Sequence, residues 1–366
     1  MKIGIMTFPN MTSYGCTLQM YALYRAVEQT GAKAEIIHYR NAHMKARRHT
    51  SSGRGRSGMK GCLRVAATKL LHMRQILTFR NFERQMGQYP KKITSDKNML
   101  PEVGTRYDGV ICGSDQVWNP LITDTDLSYF LDFCGPDTKR IAYAPSFGIS
   151  EFTEDFSDAI RPELEKFSAL SVREEVGARY VEFLVNRKTE VVLDPTFLIS
   201  QQEWTSLEKE HPLAKEKYIL CFPVRKSAAL IRFGRELAEK RNATLIVVEG
   251  NFLTRLRNKN PKVKYALDVS PKEWLYLMHH AEAVVTNSFH GAAFSLHYQK
   301  DFFLECSSPK ANSRMEYLMD LCGLKGRIIG DGCDSWDSCI DYEVVEGRIA
   351  PVRKISQDYL KQSIWG

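Results

Sequence analysis

Short apolar runs that end in polar or glycine-containing turns recur along the whole chain. In the first half the runs are residues 2–8, 35–39, 107–113, 140–144, 169–173 and 191–194. In the second half they are residues 218–224, 244–249, 283–286 and 301–305. Runs of this length, bounded by turn residues, are typical of strands buried in a parallel sheet.

Segments of helical periodicity lie between several of these runs. After the first run, helical spacing relates Leu18, Ala22, Leu23, Ala26 and Val27. Gly31 fits the position just beyond the end of that helix. Residues 62–86 and 228–240 are also predicted to be helical. Ser270 as N-cap and Pro271 at the first helical position predict a helix that reaches residue 280.

The alternation of strands and helices occurs twice, which predicts an α/β protein with two Rossmann-like, doubly wound domains facing each other across a cleft. A length of 366 residues also favours two domains. We place the N-terminal domain at 1–195 and the C-terminal domain at 196–330. The tail, 331–366, is expected to pack back on the N-terminal domain.

Composition narrows the class of protein. Hydrophobic residues at 43% and charged residues at 26% suit a soluble globular protein, and no apolar stretch is long enough to span a bilayer. The first residues turn polar too early for a signal peptide, so we expect a cytoplasmic protein. The nine cysteines include no CxxC pair and are expected to be reduced, with Cys112 the best placed for chemistry.

The net charge of +8 is concentrated in a basic stretch from Arg40 to Arg74. The part at about 41–60 is predicted to be a mobile loop, because residues 51–58 have no apolar periodicity. A solvated loop is one interpretation. The other is contact with anionic lipid headgroups or with a diphosphate-bearing substrate. Nucleic acid is not expected as a partner, because no recognised binding module accompanies the charge.

The strongest candidate for chemistry is the run 283–286 followed by Asn287, Ser288, Phe289, His290 and Gly291. It predicts a buried strand, a tight turn and a helix N-terminus, which attracts anions. A lone histidine at a strand end is usually structural. One flanked by Asn, Ser and Gly at a helix start is more often functional. Arg314 begins the next predicted helix and is expected to face the same edge of the sheet.

The loop 113–119 is the second candidate. Ser114, Asp115, Gln116 and Asn119 offer polar partners for sugar hydroxyls, and Trp118 offers a platform for the ring. Asp115 could act as a general base toward a hydroxyl. The alternative is that Asp115 caps a helix and that Trp118 belongs to the core.

Two further turns follow strands. The turn 9–15 lacks the GxGxxG and Walker patterns, so neither a dinucleotide nor ATP is indicated, and an ordinary βα turn is equally compatible. Arg173 stands where it could clamp a carboxylate or phosphate. On spacing alone, a salt bridge from Arg173 to Glu174 or Glu175 is the favoured alternative.

Taken in order, five motifs resemble the polysaccharide pyruvyl transferase family. They are Asn10 with Tyr14-Gly15 and Leu18-Gln19, then residues 113–119, 171–174, 192–196 and 286–291. The resemblance runs from about Gly4 to about Leu324, whereas the tail from Asp331 has no counterpart. Departures from the family pattern are the basic insertion after Arg40 and Cys16 in the first turn. Neither is expected to affect the anion site.

The resemblance implies a GT-B-like fold and transfer of the enolpyruvyl unit of phosphoenolpyruvate onto a sugar, giving a pyruvate ketal and phosphate. By position, Arg173, His290 and Arg314 match the residues that hold phosphoenolpyruvate. A histidinium at His290 would protonate the methylene carbon, and a bound anion favours that charged form. The scheme needs no metal and no cofactor.

The remaining assignments complete the expected site. Asn287, Ser288 and Gly291 join the donor site. Asp115 is the expected catalytic base. The acceptor site is assigned to Asn10, Tyr14, Gly15, Gln19, Ser114, Asp115, Gln116 and Trp118.

Relatives of this kind act in bacterial capsule, exopolysaccharide and wall-polymer pathways, often on lipid-linked sugars. That would place the basic loop at the inner membrane leaflet. Two alternatives remain open at this point: a glycosyltransferase that uses a nucleotide sugar, and a non-catalytic sugar-binding protein of the same fold.

Overall fold

The computed structural model describes residues 1–9, 11–41, 43–44, 73–85, 94–248, 258, 260–306, 313–330 and 338–366. The predictions for Asn10, for most of the basic loop at 41–60 and for the first residues of the tail therefore lie outside the described residues.

The first sheet is parallel and has the order β2-β1-β3-β4. Its strands are β1 (Lys2–Met6), β2 (Lys33–Ile37), β3 (Gly109–Cys112) and β4 (Lys139–Ala142). A parallel bridge between Ile141 and Ala169 then connects β4 to a short parallel pair. This pair consists of β5 (Ser171–Val172) and β6 (Glu190–Val191). The polar connections after β1 and β3 are neighbours, because β1 and β3 pair directly.

Helices connect the strands of the first half. They are α1 (Tyr14–Gln29), α2 (73–85), α3 (Leu100–Gly104), α4 (Pro120–Thr123), α5 (Glu154–Glu165) and α6 (Glu175–Val185). Ser13 caps α1 by accepting a hydrogen bond from the backbone N–H of Cys16. Gly31 follows this helix with a φ of +89°, as the sequence predicts, because glycine adopts this left-handed conformation without strain.

The second sheet is also parallel, with the order β12-β11-β10-β7-β8-β9. Its strands are β7 (Tyr218–Phe222), β8 (Thr244–Val248), β9 (Val263–Ala266), β10 (Ala283–Thr286), β11 (Asp301–Glu305) and β12 (Ile328–Ile329). This is the doubly wound order in which the direction of winding reverses between β7 and β10. Ligands of such sheets bind at the strand ends where the winding reverses. The turns after β7 and β10 are therefore the expected ligand-binding turns of the second sheet.

The helices of the second half are α7 (Gln201–Ser206), α8 (Ala228–Lys240), α9 (Pro271–His279), α10 (Phe289–His297) and α11 (Ser313–Cys322). Ser270 and Glu273 form a capping box at the start of α9, which confirms the predicted helix start. The sequence prediction missed β9 and β12. Both strands are short, and β9 carries Lys264 at a half-buried position.

One hydrophobic cluster spans both halves. Tyr14 of α1 stacks on Trp274 of α9 with ring centroids 5.2 Å apart, and Tyr21 packs against Trp204. The last helix, α12 (Tyr342–Trp365), contributes to both sides. Its Ile364 packs under the first sheet, while Val345 packs in the cluster that includes the second sheet. The two sheets are therefore held together by α1 and α12.

Among the helices of the described ranges, none has both the length and the apolar character that crossing a membrane requires.

Candidate active site between the two sheets

One arginine, two carboxylates and one histidine meet where turns from both halves of the chain approach each other. Arg173 follows β5, and its Nη1 lies 2.6 Å from Oδ2 of Asp194, which follows β6. Its Nη2 lies 3.6 Å from Oδ1 of Asp115, which follows β3. From the second sheet, His290 in the first turn of α10 places Nε2 at 3.5 Å from Oδ2 of Asp194. A histidine and a carboxylate from opposite halves are thus adjacent.

A second arginine lies beside the first. Arg314 in α11 places Nη1 at 3.9 Å from Oδ1 of Asp115. With the amide oxygen of Gln116 turned toward Arg314, this oxygen accepts from Nη1 at 3.1 Å and from Nη2 at 3.0 Å. The guanidinium carbon of Arg173 lies 4.6 Å from the ring centre of Phe289, and that of Arg314 lies 6.0 Å from it. One aromatic ring therefore contacts two cations, which stabilises their close approach.

Backbone conformation turns Asp115 toward this cluster. Gly113 has a φ of +126°, and a side chain there would collide with the carbonyl oxygen of Tyr143. Asp115 itself has a φ of +72°, which is uncommon for a residue with a side chain. Such conformations persist only where surrounding structure holds them, and they concentrate at functional sites.

Two glycines allow close packing around His290. Ser288 caps α10, and its Oγ accepts from the N–H of Gly291 at 3.3 Å. A side chain on Gly291 would collide with Thr286. A side chain on Gly15, in the first turn of α1, would collide with the imidazole of His290. Gly15 therefore lets the two halves approach closely enough to place His290 beside Asp194.

The charges stabilise one another. Burial alone would raise the pKa of Asp115, but the positive charges of Arg173, His290 and Arg314 lower it below its usual value. The pKa of Asp194 is likewise raised by burial but lowered further by His290 and Arg173. Burial and the neighbouring Arg173 lower the pKa of Arg314 to about 10. Near neutral pH, both carboxylates and both guanidiniums are therefore charged.

Several buried nitrogen atoms in this cluster make no hydrogen bond within the described part of the chain. They are Nε and Nη2 of Arg173, Nε of Arg314 and Nε2 of His290. Nη2 of Arg173 and Nε2 of His290 face the carboxylates of Asp115 and Asp194 at 3.6 and 3.5 Å, whereas the two Nε atoms are left as buried donors. A buried donor without a hydrogen bond is unfavourable by roughly 1–3 kcal/mol, more for a charged group. Such donors on two neighbouring arginines are the arrangement expected of a site that binds an anion.

A cavity of about 810 Å³ opens beside Gln116. Its walls come from the first half, at residues 119–125 and 148–156, and from Arg225 after β7. Apolar and polar side chains share this lining, and they include Asn119, Ile149, Phe152 and Asp155. Apart from Gln116 and Asn119, this surface was not identified from the sequence, because residues 148–156 show no motif.

The structure contradicts part of the predicted acceptor site. Trp118 is fully buried, stacks on Phe130 at 5.0 Å and donates from Nε1 to the carbonyl oxygen of Tyr129. It is a core residue and not a platform for a sugar. Polar residues are common in the loop 113–119 because their side chains suit a turning backbone. Trp118 differs from them, since its side chain points into the core.

Three more predicted binding residues serve the protein's own structure. Gln19 is buried and bridges Thr7, Cys16 and the N–H of Ser114. Ser114 is buried and donates to the carbonyl oxygen of Ala144. The hydroxyl of Tyr14 donates to the carbonyl oxygen of Val269.

Asn287 also uses its amide within the protein. The amide oxygen accepts from the N–H of Val224 at 2.8 Å, and the amide nitrogen donates to the carbonyl oxygen of Arg225 at 2.9 Å. It therefore shapes the turn after β7 and does not reach toward a donor substrate.

Cys16 and Arg173 differ from their expected roles. The thiol of Cys16 donates to Oδ2 of Asp115 at 2.9 Å, so the prediction that Cys16 leaves the anion site unaffected is wrong. Arg173 makes its salt bridges with Asp194 and Asp115 and not with Glu174 or Glu175. Cys112 is buried and donates to the carbonyl oxygen of Tyr129, as a structural thiol does.

Asp194 is the site residue that the sequence analysis missed. Its carboxylate contacts Arg173 and His290 and also accepts from the N–H and hydroxyl of Thr196. The available signal was its position, since it ends an apolar run immediately before Pro195.

Comparison with known proteins identifies the family. A family model described as polysaccharide pyruvyl transferase matches residues 14–304. The chain belongs to the polysaccharide pyruvyl transferase family. The match includes Arg173, Asp194 and His290, and it ends ten residues before Arg314. Comparison with curated proteins gives no match.

Solved structures show the fold. A protein from Listeria monocytogenes described as a UDP-N-acetylglucosamine 2-epimerase has a TM-score of 0.57 at 9% identity, over 99% of this chain and 90% of its own. The UDP-GlcNAc 2-epimerase of Neisseria meningitidis, bound to UDP-GlcNAc, has a TM-score of 0.52 at 11% identity, over 99% and 94%. These are GT-B proteins, so this pyruvyl transferase family member has the predicted GT-B fold.

Proposed function

We propose that this protein transfers the enolpyruvyl unit of phosphoenolpyruvate to a sugar and forms a pyruvate ketal. The family gives the reaction class. The observation that carries the proposal is the pair of neighbouring arginines, Arg173 and Arg314, whose buried Nε donors make no hydrogen bond and which lie beside His290 at the N-terminus of α10. Two guanidiniums side by side suit a ligand with both a carboxylate and a phosphate.

Charge balance gives His290 its role in this proposal. Asp115 and Asp194 offset the charges of Arg173 and Arg314, so the cluster is neutral when His290 is neutral. A bound dianion or trianion would interact favourably with an imidazolium at His290 and with the N-terminus of α10. In this proposal the imidazolium supplies the proton that the reaction requires.

The proposed step begins with transfer of this proton from His290 to the methylene carbon of phosphoenolpyruvate. The adjacent carbon becomes an oxocarbenium-like centre, a sugar hydroxyl attacks it, and the proton of this hydroxyl passes to the neutral His290, which restores the imidazolium. A second hydroxyl then displaces the phosphate, which leaves with the second proton, and the ketal bridges both hydroxyls. Burial of the cluster strengthens the electrostatic stabilisation of this centre by the neighbouring carboxylates.

We assign Asp115 a positioning role in place of the base expected from the sequence. A carboxyl group whose pKa is lowered by neighbouring cations accepts a proton less readily. Asp115 contacts both arginines and can fix their relative position. Asp194 can likewise orient His290 and Arg173 at once.

The acceptor is proposed to bind in the cavity beside Gln116. This cavity adjoins Arg314 through Gln116, and its mixed lining suits a sugar, which has polar edges and an apolar face. A lipid-linked acceptor in capsule or exopolysaccharide synthesis would also give the basic stretch a role at the inner membrane surface. Deletion of residues 51–58 is then expected to weaken binding to anionic liposomes, and unchanged binding would refute the membrane contact alone.

The test is phosphate release from phosphoenolpyruvate with galactosyl, glucosyl and N-acetylmannosaminyl acceptors. We expect acceptor-dependent release that His290→Ala abolishes and that His43→Ala, which replaces a partly exposed histidine, retains. Thermal stabilisation by phosphoenolpyruvate is expected to depend on Arg173.

Other outcomes would point to the two alternatives. Stabilisation by a nucleotide sugar, with no response to phosphoenolpyruvate, would favour a glycosyltransferase. Tolerance of His290→Ala in every assay would favour a non-catalytic sugar-binding protein.

A further inference from the structure

A cluster of two histidines and one glutamate lies in the second half, outside the proposed active site. Glu208 follows α7, whereas His279 and His280 end α9. Nδ1 of His279 lies 2.9 Å from Oε1 of Glu208, and Nε2 of His280 lies 3.5 Å from Oε2. With one ligand atom taken from each of the three residues, the three atoms lie within 4.8 Å of one another. The sequence did not reveal this cluster, because Glu208 is 71 residues away from His279.

We propose that Glu208, His279 and His280 bind a first-row transition metal ion, with Zn²⁺ as the best fit. Two ligands at about 2.1 Å from a tetrahedral zinc ion are about 3.4 Å apart, which the measured nitrogen–oxygen separations bracket. Two imidazoles and one carboxylate favour Zn²⁺ over Mg²⁺ or Ca²⁺, which prefer all-oxygen ligands. Three protein ligands leave a fourth position for water.

Neighbouring aromatic rings hold both imidazoles in place. Tyr298 stacks on His279 with ring centroids 4.5 Å apart, and Tyr276 stacks on His280 at 4.1 Å. Because the imidazoles are already held in place, their side chains lose less conformational entropy when they bind a metal ion.

Tyr298 also supports the carboxylate of the cluster. Its hydroxyl is buried beside Glu208 and interacts with that carboxylate. Such a neighbour can orient the glutamate as a metal ligand. Lys300 also interacts with Glu208 and opposes cation binding, so we expect micromolar affinity.

Metal binding here would fasten the segment that connects the two halves. In α7, Glu203 forms a salt bridge at 2.6 Å with Arg25 of α1 in the first half. Glu208 lies five residues further on and would join α9 of the second half through the metal. The ion would thus stabilise the connection without entering the active site.

The experiment titrates the full chain with Zn²⁺ by calorimetry after treatment with EDTA. We expect one equivalent to bind, and Glu208→Gln and His280→Ala to weaken binding by tenfold or more. His43→Ala, which removes a histidine outside the cluster, is the control and is expected to bind like the wild type. Lys300→Met is expected to tighten binding, because it removes a repelling charge.

Two further readouts make the result decisive. Zinc at a hundredfold excess over its Kd is expected to raise the melting temperature by about 5 °C or more. Replacement of Zn²⁺ by Co²⁺ is expected to give visible absorption typical of a nitrogen–oxygen site, and His280→Ala is expected to lose it. Absence of binding by the wild type, or equal binding by His280→Ala, would overturn the proposal. His280 is exposed enough for its replacement to leave the fold intact.

Discussion

A single methyl group added at Gly15 tests whether the two halves must meet at His290. The added Cβ would lie 2.7 Å from Cγ and 2.8 Å from Cε1 of the imidazole, and nearer still to Nδ1. Ordinary contacts begin at 3.4 Å, so the ring must move by roughly 0.7 Å or more. The ring lies in the first turn of α10, and its Nε2 would move relative to Asp194.

The expected effect separates activity from stability. Misplacement of a reacting group by about 1 Å can lower the rate by about 100-fold, so we expect kcat/KM of Gly15→Ala to fall about 10- to 100-fold. Overpacking is expected to lower the free energy of unfolding by about 1–3 kcal/mol. Phosphate release and urea denaturation measure the two quantities on the same preparation.

Gly347→Ala is the matched control. Gly347 lies within α12, and a Cβ there would meet nothing within 4 Å. Alanine in a helix is more favourable than glycine by about 0.5–1 kcal/mol, so this change is expected to stabilise the protein and preserve activity. Wild-type kcat/KM and stability in Gly15→Ala would refute the assigned contact between Gly15 and His290.

Three further predictions follow from the charged cluster and the core. Arg173→Met leaves two buried carboxylates without their main cation, so urea denaturation is expected to show a loss of about 3–5 kcal/mol, together with loss of thermal stabilisation by phosphoenolpyruvate. Folding lowers the pKa of Asp194, so the ionised carboxylate stabilises the folded protein fully above about pH 5 and less as the pH falls. The urea concentration at the midpoint of unfolding, measured from pH 7 to pH 3, should therefore decline less steeply in Asp194→Asn than in the wild type. The same slope in both proteins would contradict this prediction. Trp118→Phe is expected to lose about 1 kcal/mol with its hydrogen bond to Tyr129 and to leave the KM for the acceptor unchanged, whereas a raised KM would restore its role as a platform.

The fold was largely predictable because strand and helix signals are local. The predicted strand 218–224 is observed as Tyr218–Phe222, and the predicted helix 228–240 coincides with α8. The misses have a common cause. Both β9 and β12 lie at the edges of the second sheet and include half-buried positions, so neither shows the fully buried apolar run by which the other short strands were predicted.

The site was predictable where a residue follows a strand, since the ends of parallel strands meet at one edge. Strand-end position drew attention to Arg173, His290 and Arg314, the family resemblance assigned them to one site, and they lie together in the structure. The sequence did not predict in which direction each side chain of a turn points. Trp118 and Gln116 are two residues apart in one turn, yet one points into the core and the other toward Arg314.

The sequence by itself determined the α/β class, the position of most strands and the strand-end residues that carry charge. These properties depend on hydrophobic periodicity and on residue type, which are written along the chain. Only the tertiary structure decided which charges are paired. Asp194 acquires its role because packing of α1 and α10 places it beside His290, which is 96 positions away in sequence. The direction of a side chain and the burial of a charge depend on contacts across the fold, so no local pattern records them.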